Sequence, residues 1–181
     1  SGQPHLMAYA ITEPHAGSDV EHAAGAARMT PGVVAHRVPG GWKLRGDKCY
    51  VSGGDLAQSF TVFAALEGED MRSWTAFLVR AQPAVMRLRN EDKLGLRASG
   101  TTALHFNDAF VPDVDVIGGL RQGWAINRTT LTCSRIPVGA MSLGLARAAT
   151  QEALLFARNY GLARQRLIDR QDVQLRLAAM V

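Results

Sequence analysis

Hydroxyls, a glycine amide and a carboxylate crowd the stretch "AYAITEPHAGSDV" at positions 8–20. An apolar run suited to a buried strand stops at Glu13-Pro14, and Thr12, Gly17, Ser18 and Asp19 gather around the stop. Groups of this kind can hold a neighbour by hydrogen bonds, and a glycine lets the backbone come close because it has no side chain. Pro, Gly, Ser and Asp also build ordinary turns. Taken alone, the stretch reads as a strand ending in a loop, with His15 an exposed loop residue.

Other chemistries are poorly represented. The sequence has no G-x-G-x-x-G after a strand, no G-x-x-x-x-G-K-[ST], no H-E-x-x-H and no G-x-S-x-G. Its five histidines are scattered and none pairs with Cys or Asp at ligand spacing, so no metal site is expected. Cys49 and Cys133 match no metal or redox spacing and suit a reducing compartment, so a cytoplasmic location is expected. Arg164, Arg166 and Arg170 cluster without interleaved aromatics, which reads as a solvated helix face and not a nucleic-acid site. The sequon Asn127-Arg128-Thr129 falls in a predicted helix and reads as chance. The net charge of +4 is mild and would favour anionic ligands.

The elements that must position these residues follow from punctuation and period. The chain's 181 residues, 47% of them hydrophobic and 20% charged, suit a globular protein with a proper core, and no run approaches the length of a membrane span. Over the first two-thirds, short apolar runs alternate with turn residues. "VVAHRV", Pro39-Gly40-Gly41 and "WKLRG" make a hairpin signal. "CYVS", "SFTVFAAL", "WTAFLV" and "VMRLR" follow, and "TTALHF" alternates until Asn107-Asp108. Several short strands at this spacing suggest a barrel or sandwich. From about Gly123 to Tyr160 the period becomes helical, with Pro137 expected to kink the helix. Val173, Leu177 and Met180 give a second helix its apolar stripe. The boundary falls near Gly118-Gly119. Both ends read as cut, since the chain opens without Met and closes inside a helical pattern.

Five segments in order then resemble one family. "AYAITEPHAGSDV" is similar to the T-E-P-x-A-G-S-D signature of the acyl-CoA dehydrogenases, and "LRGDKCYVSGG" to their G-x-K-x-W-I-T-N stretch. "DKLGLRASGTTALHFNDAFVPDVDVIG" resembles the closing strands of their middle domain, "SRIPVGAMSLGLARAATQEAL" the first C-terminal helix, and "RQDVQLRLAAM" the start of the next. The resemblance covers essentially the whole chain. It implies an α+β fold: a mainly antiparallel β-barrel middle domain over 1–118, then the first helices of a truncated helical bundle over 119–181.

The family binds FAD and oxidises an acyl-CoA thioester to its α,β-enoyl form. By resemblance, Tyr9, Ile11 and Thr12 would line the flavin, Gly17 would allow close backbone approach, and Ser18 would contact flavin phosphate or the CoA arm. Tyr50, Val51 and Ser52 would stand beside the isoalloxazine, and Arg135 near the acyl-CoA. The flavin is expected near a subunit interface of a homo- or hetero-oligomer.

The departures are as informative. Tyr50 replaces the usual Trp and Ser52 the usual Thr. The usual D-x-x-R is Thr132-Cys133-Ser134-Arg135, which loses an acidic contact to CoA. Ser134 stands where some members carry the catalytic glutamate, so no catalytic base is expected in this chain and one is expected beyond Val181. The R-x-x-F-G motif, which would fall at Tyr160, Ala163 and Arg164, is missing. The alternatives are therefore a non-catalytic or partly degenerate partner subunit of a heteromeric complex, or a flavin monooxygenase of the same architecture. Residues 1–181 alone are expected to be inactive and to hold FAD weakly or not at all.

Overall fold

A computed structural model describes residues 4–18, 26–162 and 164–181. Two compact units divide the chain, 1–128 and 129–181.

The first unit is built on one eight-stranded sheet. Its strands are β1 (Met7–Ala10), β2 (Val33–Val38), β3 (Gly41–Ser52), β4 (Ser59–Leu66), β5 (Thr75–Arg80), β6 (Val85–Asn90), β7 (Thr101–Pro112) and β8 (Val116–Ile117). The ladder runs β6-β7-β3-β2-β4-β5-β8, and β1 joins β4 off this path. All pairings are antiparallel except β1 with β4 and β2 with β4. The β2–β3 hairpin turns on Pro39-Gly40, with Val38 paired to Gly41 and Gly40 at φ 77°. Proline followed by a residue with positive φ is what a type II turn requires.

The strand period explains how the sheet folds on itself. On β4, Phe60, Val62, Ala64 and Leu66 point into one core, which also takes Val33, Leu44, Phe77, Val79, Val85, Leu104 and Phe106. Residues from β5 and from β6, strands far apart on the ladder, thus share one interior. The sheet rolls around that interior, and no ladder joins its edge strands β6 and β8 among the described residues. The alternate β4 residues Phe63 and Ala65 point the other way, into a second core with Met71, Trp74 and Ala76. A strand buried on both faces reads as a continuous apolar run, which is what "SFTVFAAL" is.

Two expected strand ends are absent. "WKLRG" and "CYVS" are one strand, β3, and "TTALHF" continues to Pro112. Asp108 does not stop β7 because it is absorbed as a bulge: Leu44 pairs with Ala109, Arg45 with Asn107, and Asp108 sits between them at φ 56°. Arg45 fastens it with two hydrogen bonds, 3.0 Å from Nε to Oδ1 and 2.9 Å from Nη2 to Oδ2.

Helix α1 (Gly123–Asn159) begins at the end of the first unit and continues through the second. It continues across Pro137, whose missing N–H leaves the carbonyl of Cys133 without its helical partner. A short pair of strands, β9 (Gly161–Leu162) and β10 (Gln165–Arg166), precedes α2 (Gln171–Ala178). Val173 and Leu177 lie on α2, and Met180 falls past its end. Among the described residues no helix is long and apolar enough to cross a membrane.

Candidate functional site

The first motif leaves its ladder immediately after Ala10, which pairs with Val62. From there it is held by β3. Lys48 Nζ donates to the carbonyl of Ile11 at 2.8 Å, and the Cys49 amide donates to the carbonyl of Thr12 at 3.0 Å. Lys48 also donates to Glu13 Oε1 at 2.6 Å, and the Gly32 amide donates to Glu13 Oε2 at 2.6 Å. The motifs around Thr12 and Tyr50, far apart in sequence, meet here.

Lys48 and Glu13 form a fully enclosed ion pair, with side-chain exposures of 0% and 1%. The ammonium also lies 5.1 Å from the centroid of the Trp74 ring. Burial pulls the Lys48 ammonium below its ordinary value, and Glu13 opposes that shift. Neither residue stands out by type in a search for catalytic groups. Their places in the motifs, Glu13 in T-E-P and Lys48 in G-x-K, are the only sequence signal that marks them.

Beyond Lys48 the β3–β7 register slips. Lys48 pairs with Leu104 and Val51 with Thr102, so Cys49 and Tyr50 together face Ala103. Tyr50 takes φ 55° and is 64% exposed. A non-glycine residue in the left-handed region costs about 1–2 kcal/mol. On the other side of β7 the slip is mirrored: Arg87 pairs with Leu104 and Arg89 with Ala103, leaving Leu88 as the extra, exposed residue. Between the two bulges lies a groove of about 340 Å³ lined by Pro14, Lys48, Cys49, Tyr50, Leu88, Arg89, Glu91 and Ala103. Leu88, Arg89 and Ala103 are not foreseen from sequence, because a back-to-back pair of bulges leaves no motif.

The residues singled out by resemblance divide among several surroundings. Thr12 is half-buried beside Cys49, while Gly17 and Ser18 are exposed in the loop that follows the Glu13–Ala16 bridge. Tyr50 and Ser52 are exposed on β3, but the intervening Val51 side chain is 1% exposed and packed in the first core. Any reach from Val51 toward a ligand is through its main chain. Tyr9 and Ile11 pack against the second core instead of the groove. The Tyr9 ring meets Phe63 edge-on at 5.1 Å, and its hydroxyl donates to Asn127 Oδ1 at 3.0 Å. Asn127 is 4% exposed, which keeps the sequon from a glycosylating enzyme in this fold. Arg135 is exposed on α1 in the second unit, and the Ser134 hydroxyl donates to the carbonyl of Leu131 at 3.1 Å.

Comparison with known proteins sets this geometry in context. The family model "Acyl-CoA dehydrogenase, middle domain" matches residues 8–109, and "Acyl-CoA dehydrogenase, C-terminal domain" matches residues 121–181. The chain is 34% identical over 178 residues to an acyl-CoA dehydrogenase of Bacillus subtilis, covering 97% of this chain and 45% of that protein. Its fold is similar to butyryl-CoA dehydrogenase from Megasphaera elsdenii, with a TM-score of 0.87 and 29% identity over 97% of this chain and 45% of the other. It is also similar to a Bacillus anthracis acyl-CoA dehydrogenase complexed with FAD, with a TM-score of 0.85 and 27% identity over 95% of this chain and 29% of the other. The chain thus spans less than half the length of each of these relatives.

Proposed function

We propose, from the premise that this chain belongs to the acyl-CoA dehydrogenase family, that the whole protein is an FAD-dependent oxidoreductase forming the α,β-double bond of an acyl thioester. The observation that carries this reading is the meeting of the Thr12 and Tyr50 motifs at one groove, fastened by Lys48 and Cys49.

The residues present suit a flavin. Its ring system is flat and apolar with one polar edge. The exposed Tyr50 ring, with Leu88 and Ala103 beside it, supplies apolar surface. Thr12 and Ser52 supply hydroxyls that make no hydrogen bond to the described residues, so both are available to the polar edge. Val51 would contribute its main chain. Gly17 and Ser18, exposed in the following loop, would face phosphate or the CoA arm, and Tyr9 and Ile11 would back the site from the second core. FAD, when bound, supplies the acceptor for the β-hydrogen as hydride. Arg135 would attract the anionic part of the thioester. Ser134 is no base, and in this reading the carboxylate that removes the α-proton would lie beyond Val181.

In this reading the middle domain passes to the helical domain near Gly118-Gly119, and the flavin lies near an interface between subunits of an oligomer. Free Cys49 and the exposed, free Cys133 fit a reducing, cytoplasmic setting.

The test is the visible spectrum of the whole natural protein, recorded anaerobically before and after a panel of acyl-CoAs. A flavin band bleached by one thioester is the expected result. A band indifferent to all of them overturns the dehydrogenase reading in favour of monooxygenase-type chemistry or another acyl carrier. Absence of flavin favours the partner-subunit reading, to which the lost D-x-x-R and R-x-x-F-G motifs belong.

A further inference from the structure

Burying two opposite charges completely is an expensive way to fill a core. The attraction gained seldom exceeds the hydration lost, and an apolar pair of similar volume serves stability as well. What an apolar pair cannot supply is direction. Here the Lys48 ammonium is spent on the Ile11 carbonyl, on Glu13 Oε1 and on the face of Trp74, while Glu13 Oε2 takes the Gly32 amide. Three main-chain stretches are thereby tied at one point: the run-out of β1, the approach to β2 and the middle of β3.

The placement of that point is telling. Ile11 and Thr12 have left the β1–β4 ladder, which ends at Ala10. The bonds that hold their carbonyls come from Lys48 Nζ and the Cys49 amide. Lys48 is also the last β3 residue in register before the slip that sets Tyr50 at φ 55°. The far side of the bulge is pinned separately: the Gly53 amide donates to the Gly100 carbonyl at 2.8 Å, and Arg87 Nε donates to the Gly54 carbonyl at 2.9 Å. Between these anchors the chain is held on both sides of Tyr50, which is in a conformation that an unrestrained chain would leave.

We infer that Lys48 and Glu13 are positioning residues for the flavin surface, acting through the main chain of Ile11, Thr12 and Cys49 to hold Thr12 and the Tyr50 bulge in place. Neither side chain is exposed to touch a ligand. The inference rests on the flavin reading above and adds to it the residues that preorganise the surface.

The test uses the whole natural protein and the double variant Lys48→Met/Glu13→Leu, which removes both charges and leaves the site filled with apolar side chains. A purely structural pair predicts a folded double variant with unchanged flavin properties. A positioning pair predicts that it unfolds near the native temperature but binds FAD at least about tenfold more weakly, with altered visible circular dichroism of the flavin. Wild-type affinity and dichroism in the folded double variant would overturn the inference. Should that variant fail to fold, Lys48→Met/Glu13→Gln removes both charges while keeping the Glu13 volume and the bond to the Gly32 amide, and the same loss of affinity and changed dichroism are expected. A second readout needs no flavin. Amide exchange at Cys49, measured on the FAD-free protein, is expected to speed at least about tenfold in the variant while β4 amides hold their rates. Unchanged exchange at Cys49 would overturn the inference even if the native protein takes up no FAD, an outcome that would separately sink the flavin reading.

Discussion

Replacing Gly32 by alanine probes the grip on Glu13 with a single added carbon. That Cβ would lie 2.9 Å from Glu13 Cβ and 3.0 Å from its Cδ and Oε2. Carbon atoms do not approach so closely without something moving. Glu13 cannot move freely, because its Oε1 holds Lys48 at 2.6 Å and its Oε2 accepts the Gly32 amide at 2.6 Å. The backbone at Gly32 is no freer, since its carbonyl accepts the Asp47 amide at 3.0 Å. Overpacking of this kind costs about 1–3 kcal/mol, and loosening a charge-assisted hydrogen bond adds about 1 kcal/mol. We expect Gly32→Ala to lower the unfolding free energy by about 2–4 kcal/mol, or the melting temperature by about 5–15 °C.

Tryptophan fluorescence in urea is the suitable assay, since Trp42, Trp74 and Trp124 all lie in the first unit with Gly32. Gly139→Ala in the second unit, where an added Cβ meets nothing within 4 Å, should leave that transition in place. A loss below about 0.5 kcal/mol for Gly32→Ala would refute the reasoning, because changes that small are ordinary for unconstrained surface positions. Glu13 would then be free to withdraw, and its claim to fix three main-chain stretches would go with it.

Tyr50→Gly should relieve left-handed strain and raise first-unit stability by about 1 kcal/mol in the same urea titration, while weakening FAD binding measured by reconstitution. A coupled loss of stability would show that the ring packs more than its exposure indicates. The Arg45 guanidinium holds the Asp108 carboxyl below the usual carboxylate range, chiefly through its hydrogen bonds. Because the folded value is the lower one, this pair stabilises above the ordinary carboxylate pKa, and its contribution is lost as pH falls through the folded value. Carbon-detected titration of Asp108 should show the depression and its disappearance in Arg45→Met. Burial pushes the Cys49 thiol up, so at pH 8 iodoacetamide should modify exposed Cys133 well before Cys49 in the 181-residue chain. Mass mapping that found equal rates would contradict the half-buried position of Cys49.

Much of the fold is legible because burial writes itself into period. The continuous apolar run of β4 marks a strand covered on both faces; the spacing of apolar residues marks α1 as a helix although Val138, Met141 and Leu145 on it are exposed. Register slips are written less plainly. Residues with positive φ are usually Gly, Asn or Asp, so Asp108 belongs to the expected class, yet Asn-Asp pairs also end strands and the shorter reading is the natural one. Tyr50 belongs to no such class. Its φ is imposed from outside by the ladder on either side of Ala103, and a sequence read locally holds no trace of that constraint.

The candidate site shows the same division at the scale of single residues. Resemblance assigns Tyr50, Val51 and Ser52 to a ligand as a block, but side chains on a strand point alternately to opposite faces. Tyr50 and Ser52 face out, whereas Val51, like Lys48 before the bulge, faces in. The first motif divides likewise, with Thr12 toward the surface and Glu13 beneath it. Each motif therefore carries an outer residue able to meet a cofactor and an inner charged residue that meets its counterpart from the other motif. An outer pair alone would leave Thr12 and Tyr50 on two chain segments with no common ladder. The inner pair supplies the bonds that make them one surface, and that is a physical reason for T-E-P and G-x-K to occur in the same chain.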